Sequence, residues 1–153
     1  MTTKSRKMVL TEKHVIELPE DYSDLLPRDE ESEFQSVAPG SVQKVLVWLV
    51  ALDRTCLIWL GEAKEGMQPS LESLIVAMHS SSMGSMTSTL LARGITDAWD
   101  DAGEGLAARL AKKYSIQVFL SDQLCPALHR TPACHFIEKA VRSMLDKHFG
   151  EEC

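Results

Sequence analysis

The stretch that decides the fold is "GLAARLAKKYSIQVFLS", residues 105–121. Its apolar side chains first recur at helical spacing, and Lys112 and Lys113 fall in the last turn, where cations interact favourably with the helix dipole. An alternating pattern from Ile116 to Ser121 then predicts a strand after a very short connection. The stretch contains no residue pattern suited to catalysis, and so it indicates a structural or binding unit.

Four apolar segments upstream of this unit predict β-strands. They are residues 43–52, 55–61, 71–80 and 86–92. The first two segments are separated only by Asp53 and Arg54, which predicts a β-hairpin. The sequence "HVIEL", residues 14–18, is a further candidate for an edge strand.

The end of the chain predicts a second helix, from about Thr131 to His148, because Thr131 is a suitable N-cap residue and Pro132 suits the first helical position. Strands that precede helices along a chain are typical of α+β folds. We therefore predict a single α+β domain in which a mainly antiparallel sheet of about five to six strands is flanked by two α-helices. Two helices can cover one face of this sheet, so its other face is either solvated or covered by something else.

Residues 1–40 differ in composition from the rest of the chain. They contain nine acidic and five basic residues, and so they carry most of the net charge of −6. The segment "LPEDYSDLLPRDEESE", residues 18–33, combines two prolines with many like charges, which is typical of extended or disordered chain. We therefore predict a disordered acidic extension over residues 1–40 and a folded domain over residues 41–150.

Charge and cysteine content exclude several classes of protein. A net charge of −6 leaves no basic footprint for nucleic acid and disfavours binding to anionic membranes. No apolar run approaches the ~20 residues of a membrane span, and the N-terminus lacks the apolar core of a signal peptide. The cysteines are widely scattered, at Cys56, Cys125, Cys134 and Cys153. We therefore predict a cytoplasmic or nuclear protein with free thiols that binds neither nucleic acid nor membrane.

Three patterns approach catalytic or metal-binding motifs without matching them. The glycine spacing of residues 61–66 resembles a phosphate-binding loop, but Met67 and Gln68 replace the Lys and Ser or Thr that such a loop needs. The serine-rich segment 80–88 lacks the G-x-S-x-G sequence of a nucleophile elbow. The Cys and His spacing within residues 125–135 fits no common zinc module. We predict no catalytic residue, no cofactor and no metal site.

The acidic segment before the first helix is less easily dismissed. "TDAWDDAGE", residues 96–104, offers four carboxylates, which are compatible with a metal or acid–base site but lack the EF-hand pattern. A helix cap beside a solvated loop is the simpler explanation, because Asp101 and Glu104 have the spacing of a capping box. Trp99 is either buried in the core or available to a partner, since tryptophan is enriched at binding hot spots.

The order of these motifs resembles the proteasome assembly chaperone 4 family. The matching motifs, in chain order, are Trp59-Leu60-Gly61, "LIVAM" at residues 74–78, "STLL" at residues 88–91, the acidic loop at residues 94–101, "GLAARLAKK" at residues 105–113 and "QVFLS" at residues 117–121. The helix–strand unit is the specific part of the resemblance, which spans roughly residues 43–148.

The resemblance implies a chaperone rather than an enzyme. It implies a heterodimer with a proteasome assembly chaperone 3-like subunit, and a role in ordering α-type subunits into the α-ring of the proteasome core particle. It also implies an antiparallel sheet flanked by helices. The loop around Trp99 is then the expected contact with a partner, and the candidate partner-binding residues are Arg93, Asp97, Trp99, Asp100 and Asp101.

A second class of binding protein is compatible with the same order of elements. Longin- and roadblock-like regulatory modules of trafficking or signalling complexes also combine a sheet with flanking helices and lack an active site. Such a module is expected to co-purify with small GTPase machinery rather than with proteasome subunits.

Overall fold

Six strands and two helices make up the part of the chain that the structure, a computed structural model, describes. That part comprises residues 9–18, 44–63, 66, 68–92, 100–124 and 133–150, with the backbone alone for Asp100 and Asp101. The elements are β1 (Leu10–Glu17), β2 (Lys44–Ala51), β3 (Thr55–Glu62), β4 (Leu74–Ser80), β5 (Gly84–Leu91), α1 (Asp100–Tyr114), β6 (Gln117–Asp122) and α2 (Ala133–Phe149). Neither of these helices combines the length and the apolar character needed to cross a bilayer.

The strands form one sheet in the order β1-β2-β3-β6-β4-β5. Every neighbouring pair is antiparallel except β3 and β6, which run parallel with Cys56 opposite Val118. Parallel neighbours need a long crossover connection, and the chain between β3 and β6 contains β4, β5 and α1. The prediction of an α+β domain with a mainly antiparallel sheet of about five to six strands and two helices is confirmed.

Both hairpins follow from the local sequence. In the predicted β2–β3 hairpin, the amide of Leu52 donates to the carbonyl of Thr55 at 2.8 Å. In the β4–β5 hairpin, Gly84 has a φ of 77°, a left-handed conformation that glycine adopts without strain. The strand that follows therefore begins at Gly84 rather than at the predicted residue 86.

The core lies between the sheet and the two helices, which pack on the same sheet face. Alternate strand residues point into it, because side chains alternate between the two faces of a sheet. The buried strand residues are Val45, Val47, Leu49, Ala51, Cys56, Ile58, Leu60, Ile75, Ala77, Val118 and Leu120. The helices cover them with Leu106, Ala107, Leu110, Ala111, Ile137, Val141, Met144 and Leu145. Residues 105–121 thus supply most of one covering helix and the strand β6.

β1 lies at one edge of the sheet, antiparallel to β2. It includes residues 14–17, which confirms the edge strand predicted for "HVIEL". The Glu12 carboxylate of β1 lies 3.0 Å from Nε2 of His148 at the end of α2, so the strand is also tied to the helix layer. β1 falls within residues 1–40, the stretch assigned to the acidic extension, of which the structure describes residues 9–18 alone. The sheet therefore includes a strand that precedes residue 41.

Candidate partner-binding site on the open face of the sheet

The residues predicted to bind a partner lie between β5 and the start of α1. Arg93, Asp97 and Trp99 are outside the described residues, and Asp100 and Asp101 are described as the first backbone turn of α1 only. Their placement as a partner site stays a prediction.

Glu104, the other member of the predicted capping box, accepts a hydrogen bond from the hydroxyl of Thr89 at 2.8 Å. This bond joins the first turn of α1 to β5. At least one of its carboxylate oxygens is therefore used to fix the helix to the edge of the sheet.

The motifs that approached catalytic patterns occupy ordinary structural positions. Gly61 lies inside β3 rather than in a phosphate-binding loop. Nδ1 of His79 lies 3.2 Å from Oγ of Ser85 across the β4–β5 hairpin, and within the described residues no carboxylate completes this pair. The contact is a cross-strand bond of the hairpin.

The cysteines and histidines of the last segment are only partly described. Cys134 and His135 lie on α2, whereas Cys125 and His129 are outside the described residues. Among the residues with described positions, no group of three or more His, Cys, Asp or Glu side chains could hold a metal ion. Burial raises the pKa of the Cys134 thiol and raises the pKa of Cys56 to about 12, so neither thiol is a ready nucleophile.

The sheet face opposite the helices presents a band of apolar side chains, here called the open face. Its members are Val15, Leu46, Trp48, Val50, Leu57, Trp59, Val76, Met78, Met86 and Phe119. No described helix covers them. Val15 is 55% exposed, Met78 43%, and Leu57 and Met86 38% each. Contiguous apolar surfaces that are left in water often mark interaction sites.

Strand register makes the open face continuous. Val50, Leu57, Phe119 and Val76 lie opposite one another across β2, β3, β6 and β4. Directly opposed side chains on one face of a sheet lie within contact distance. The apolar row therefore crosses the middle of the sheet without a break.

Two tryptophans lie on the open face beside the β2–β3 end of this row. Trp48 and Trp59 are opposite each other on β2 and β3. The ammonium of Lys13 lies 4.3 Å from the centre of the Trp48 ring, a cation–π contact. Nε1 of Trp48 is buried and has no hydrogen-bond partner within the described structure, whereas Nε1 of Trp59 donates to the carbonyl of Ser70 at 2.9 Å.

A shallow groove of about 210 Å³ lies beside the tryptophans. It is lined by Trp48, Val50, Leu57, Trp59, Pro69, Ser70 and Leu71. The loop that carries Ser70 forms one wall, because the Trp59 indole holds it against the sheet. Large aromatic side chains in such grooves are the residue types that most often dominate binding energy.

Sequence reasoning predicted that the helices leave one face of the sheet uncovered, but it did not identify the residues of the open face, although β2 carries a signal for them. Its sequence "KVLVWLVA" is apolar at nearly every position, whereas a strand with one face in water alternates apolar and polar residues. Such a run is typical of a strand that is covered on both faces. Only one face of β2 is covered by described parts of this chain.

The comparisons with known proteins agree with the fold and with a binding role. The sequence model of a family described as Proteasome assembly chaperone 4 matches residues 44–124, more than half of the chain. This match confirms the resemblance inferred from the helix–strand unit. A search of curated proteins gives no match.

Solved structures share the architecture. The chain superimposes with a TM-score of 0.61 and 15% sequence identity on a chain from the "Crystal Structure of a Novel Chaperone Complex for Yeast 20S Proteasome Assembly". The superposition covers 91% of this chain and 96% of that chain. At this level of identity the similarity establishes the fold.

Proposed function

Because the chain belongs to the proteasome assembly chaperone 4 family, we propose that it assists assembly of the α-ring of the proteasome core particle, without catalysis, as a heterodimer with a proteasome assembly chaperone 3-like subunit. The family match supports the role in proteasome assembly. The shared fold with a chain of a yeast proteasome assembly complex supports it further. The identities of the heterodimer partner and of the α-type client are more specific than these two matches, and they are part of the proposal.

The observation that carries the heterodimer is the open face. A sheet with helices on one side and an apolar surface on the other is half of a two-sheet sandwich, in which the inner faces pack about 10 Å apart. A partner with the same architecture offers the complementary half. The row from Val50 to Val76 then becomes the centre of the interface, because it runs across the middle strands.

The acidic loop supplies the proposed contact with an α-type proteasome subunit. Trp99 is the expected anchor, and Arg93, Asp97, Asp100 and Asp101 are the other predicted contact residues. A Trp99→Ala variant is expected to lose α-type subunits and keep the chaperone partner, because the open face is unchanged. If Trp99→Ala lost both the α-type subunits and the chaperone partner, the assignment of these two partners to separate surfaces would be wrong.

A tagged pull-down from the source cells, read by mass spectrometry, tests the function directly. We expect α-type proteasome subunits and a second small chaperone, without mature β subunits, in cytoplasmic extracts and in nuclear extracts if a nuclear pool exists. Absence of proteasome subunits would overturn the proposal. Recovery of small GTPase machinery instead would favour the longin- or roadblock-like regulatory module.

A matched pair of variants tests the interface. Leu57→Asp places a carboxylate in the middle of the open face, where binding a partner would bury it without a counter-charge. Phe136→Asp makes the same chemical change at a side chain on α2, on the other side of the molecule, that is 47% exposed. We expect Leu57→Asp to abolish co-purification of the chaperone 3-like subunit and Phe136→Asp to preserve it. Equal behaviour of the two variants would rule out the open face.

A further inference from the structure

A second surface, on the helix side of the molecule, has a different chemistry from the open face. The two helices line an open groove of about 740 Å³, here called the basic groove. Its cationic lining consists of Arg109 and Lys113 from α1 and Lys139 and Arg142 from α2, and His135 also lines it. Glu138 and Asp146 are its acidic members.

The charge of the basic groove opposes that of the chain. Four permanently charged side chains, Arg109, Lys113, Lys139 and Arg142, face two carboxylates, while the whole protein carries −6. A local excess of one sign within a groove concentrates the field and attracts ligands of the opposite sign. The groove is therefore an anion-attracting site on an acidic protein.

Both carboxylates of the groove are already engaged. Glu138 accepts two hydrogen bonds from Arg109, at 3.2 and 3.0 Å, and one from Arg142 at 2.7 Å. Asp146 accepts a hydrogen bond from the hydroxyl of Tyr114 at 2.7 Å and lies 3.8 Å from the ammonium of Lys113. These acids hold the helices together and pair with three of the four groove cations, so Lys139 is the cation that they leave unpaired.

The groove retains one unpaired cation. Within the described residues, its ion pairs involve Arg109, Lys113 and Arg142 but not Lys139. Phe136 stands on the same helix one turn before Lys139 and is 47% exposed. An apolar side chain beside the unpaired ammonium of Lys139 favours a ligand that combines a carboxylate with an apolar side chain.

We propose that the basic groove binds an acidic segment of the α-type proteasome subunit that the chaperone helps to assemble, with an apolar residue of that segment packed on Phe136. This inference rests on the proposed function, and it adds a second client contact, of opposite charge to the acidic loop around Trp99. A protein segment fits better than nucleic acid, because the excess of positive charge is small and the surrounding molecule is acidic.

The position of the groove agrees with two partners bound at once. The open face lies on one side of the sheet, and the helices that form the groove lie on the other. A chaperone partner on the open face therefore leaves the groove accessible. The heterodimer can hold its client through the helix layer.

Two charge reversals of the same size test the proposal. Lys139→Glu changes the groove, whereas Lys112→Glu changes an exposed lysine of α1 that does not line it. Each is made in the purified heterodimer, and binding to isolated α-type subunits is measured at low and physiological ionic strength. We expect Lys139→Glu to weaken binding to its client by about tenfold or more, with a smaller salt dependence than the wild type, and Lys112→Glu to weaken it less than twofold. Phe136→Ala is expected to weaken binding to the α-type subunit severalfold.

The outcomes separate this proposal from the proposed function. If Lys139→Glu and Lys112→Glu weaken client binding equally, or if salt does not affect wild-type binding, the basic groove is not the client site. Either result would leave the chaperone role intact. Binding of single-stranded RNA that depends on Lys139, with α-type binding unchanged, would also overturn it. If the wild-type heterodimer binds no α-type subunit at all, both the function and this inference fail together.

Discussion

The indole ring of Trp59 lies over the α-carbon of Gly61, two residues further along β3, so closely that a Cβ at residue 61 would overlap the ring. The glycine thereby lets the ring lie flat on the open face and donate to the carbonyl of Ser70. The Trp-Leu-Gly sequence therefore has a physical reason. Because residue 61 has no Cβ, the Trp59 ring can occupy the space above its α-carbon.

Gly61→Ala is therefore expected to displace the Trp59 ring. Overpacking of this kind costs about 1–3 kcal/mol, and the bond to Ser70 is lost with it. Chemical denaturation of Gly61→Ala, Trp59→Ala and the double variant measures the coupling. We expect Gly61→Ala to cost much less in the Trp59→Ala background, because the obstructing ring is gone. Equal costs in the two backgrounds would show that the ring does not rest on Gly61.

The strands and helices were predictable because their signals are local. The alternation of Ile116–Ser121, the helical spacing before it and the residues of the β2–β3 turn all lie within short windows of sequence. The place of β6 between β3 and β4 was not predicted, because it depends on contacts between residues far apart in the chain, such as Cys56 and Val118. Local pattern specifies an element but not its neighbour.

The same contrast between local and long-range signals applies to the candidate binding surfaces. The apolar run of β2 indicated a strand covered on both faces, so the open face was within reach of sequence reasoning. The basic groove was not, because Arg109 and Glu138 meet only when α1 and α2 pack together. The predicted contacts at Arg93–Asp101 stay predictions for which Trp99→Ala is the test.

Glu12 links the edge strand to the end of α2, and its titration predicts a pH dependence. Contacts with His148 and His14 lower the pKa of its carboxyl to about 2 from an ordinary value of 4.5. A carboxyl with a lowered pKa stabilises the fold fully above its unfolded pKa and loses that contribution as pH falls toward its folded pKa. We therefore expect the free-energy difference between wild type and Glu12→Gln, about 1 kcal/mol, to hold above pH 4.5 and to shrink between pH 4.5 and pH 2.

Urea denaturation across that pH range checks the prediction, with Glu17→Gln as the matched control. Glu17 is on the same strand, but its carboxylate is 3.8 Å from Lys44 and largely exposed, so its removal is expected to change the free energy of unfolding little. A Glu12→Gln difference that stays constant from pH 6 to pH 2 would mean that the carboxylate does not titrate with folding.

Tyr114 joins the two helices through its hydroxyl, which lies 2.7 Å from the Asp146 carboxylate and 3.1 Å from the carbonyl of Arg142. Burial and the Asp146 carboxylate raise the pKa of the Tyr114 hydroxyl, so it stays protonated and continues to donate. Tyr114→Phe keeps the ring and removes the donor, and is expected to cost about 1–2 kcal/mol in thermal or urea denaturation. A cost of the same size in an Asp146→Ala background, which lacks the acceptor, would mean that the Asp146 bond contributes little.

Cys56 predicts a difference in thiol reactivity that reports on the fold. Its side chain is fully buried in β3, and burial raises its pKa to about 12, so its thiolate is scarce at neutral pH. We expect an alkylating reagent to label Cys56 only after denaturation, whereas the partly exposed Cys134 is labelled slowly in the native protein. Peptide mapping by mass spectrometry distinguishes the two sites, and rapid native labelling of Cys56 would contradict the observed packing of β3.

The open face predicts how the chain behaves without a partner. Its apolar band is uncovered by the described elements, so isolated protein is expected to self-associate through it as concentration rises. Leu57→Asp is expected to shift sedimentation toward the monomer, because self-association would bury the new carboxylate. Phe136→Asp, on the opposite side, is expected to leave the association unchanged.

A chaperone 3-like subunit added in excess is expected to replace the self-associated species with a heterodimer of the wild type but not of Leu57→Asp. A wild-type monomer that stays monomeric at high concentration and ignores that subunit would count against the open face as an interface.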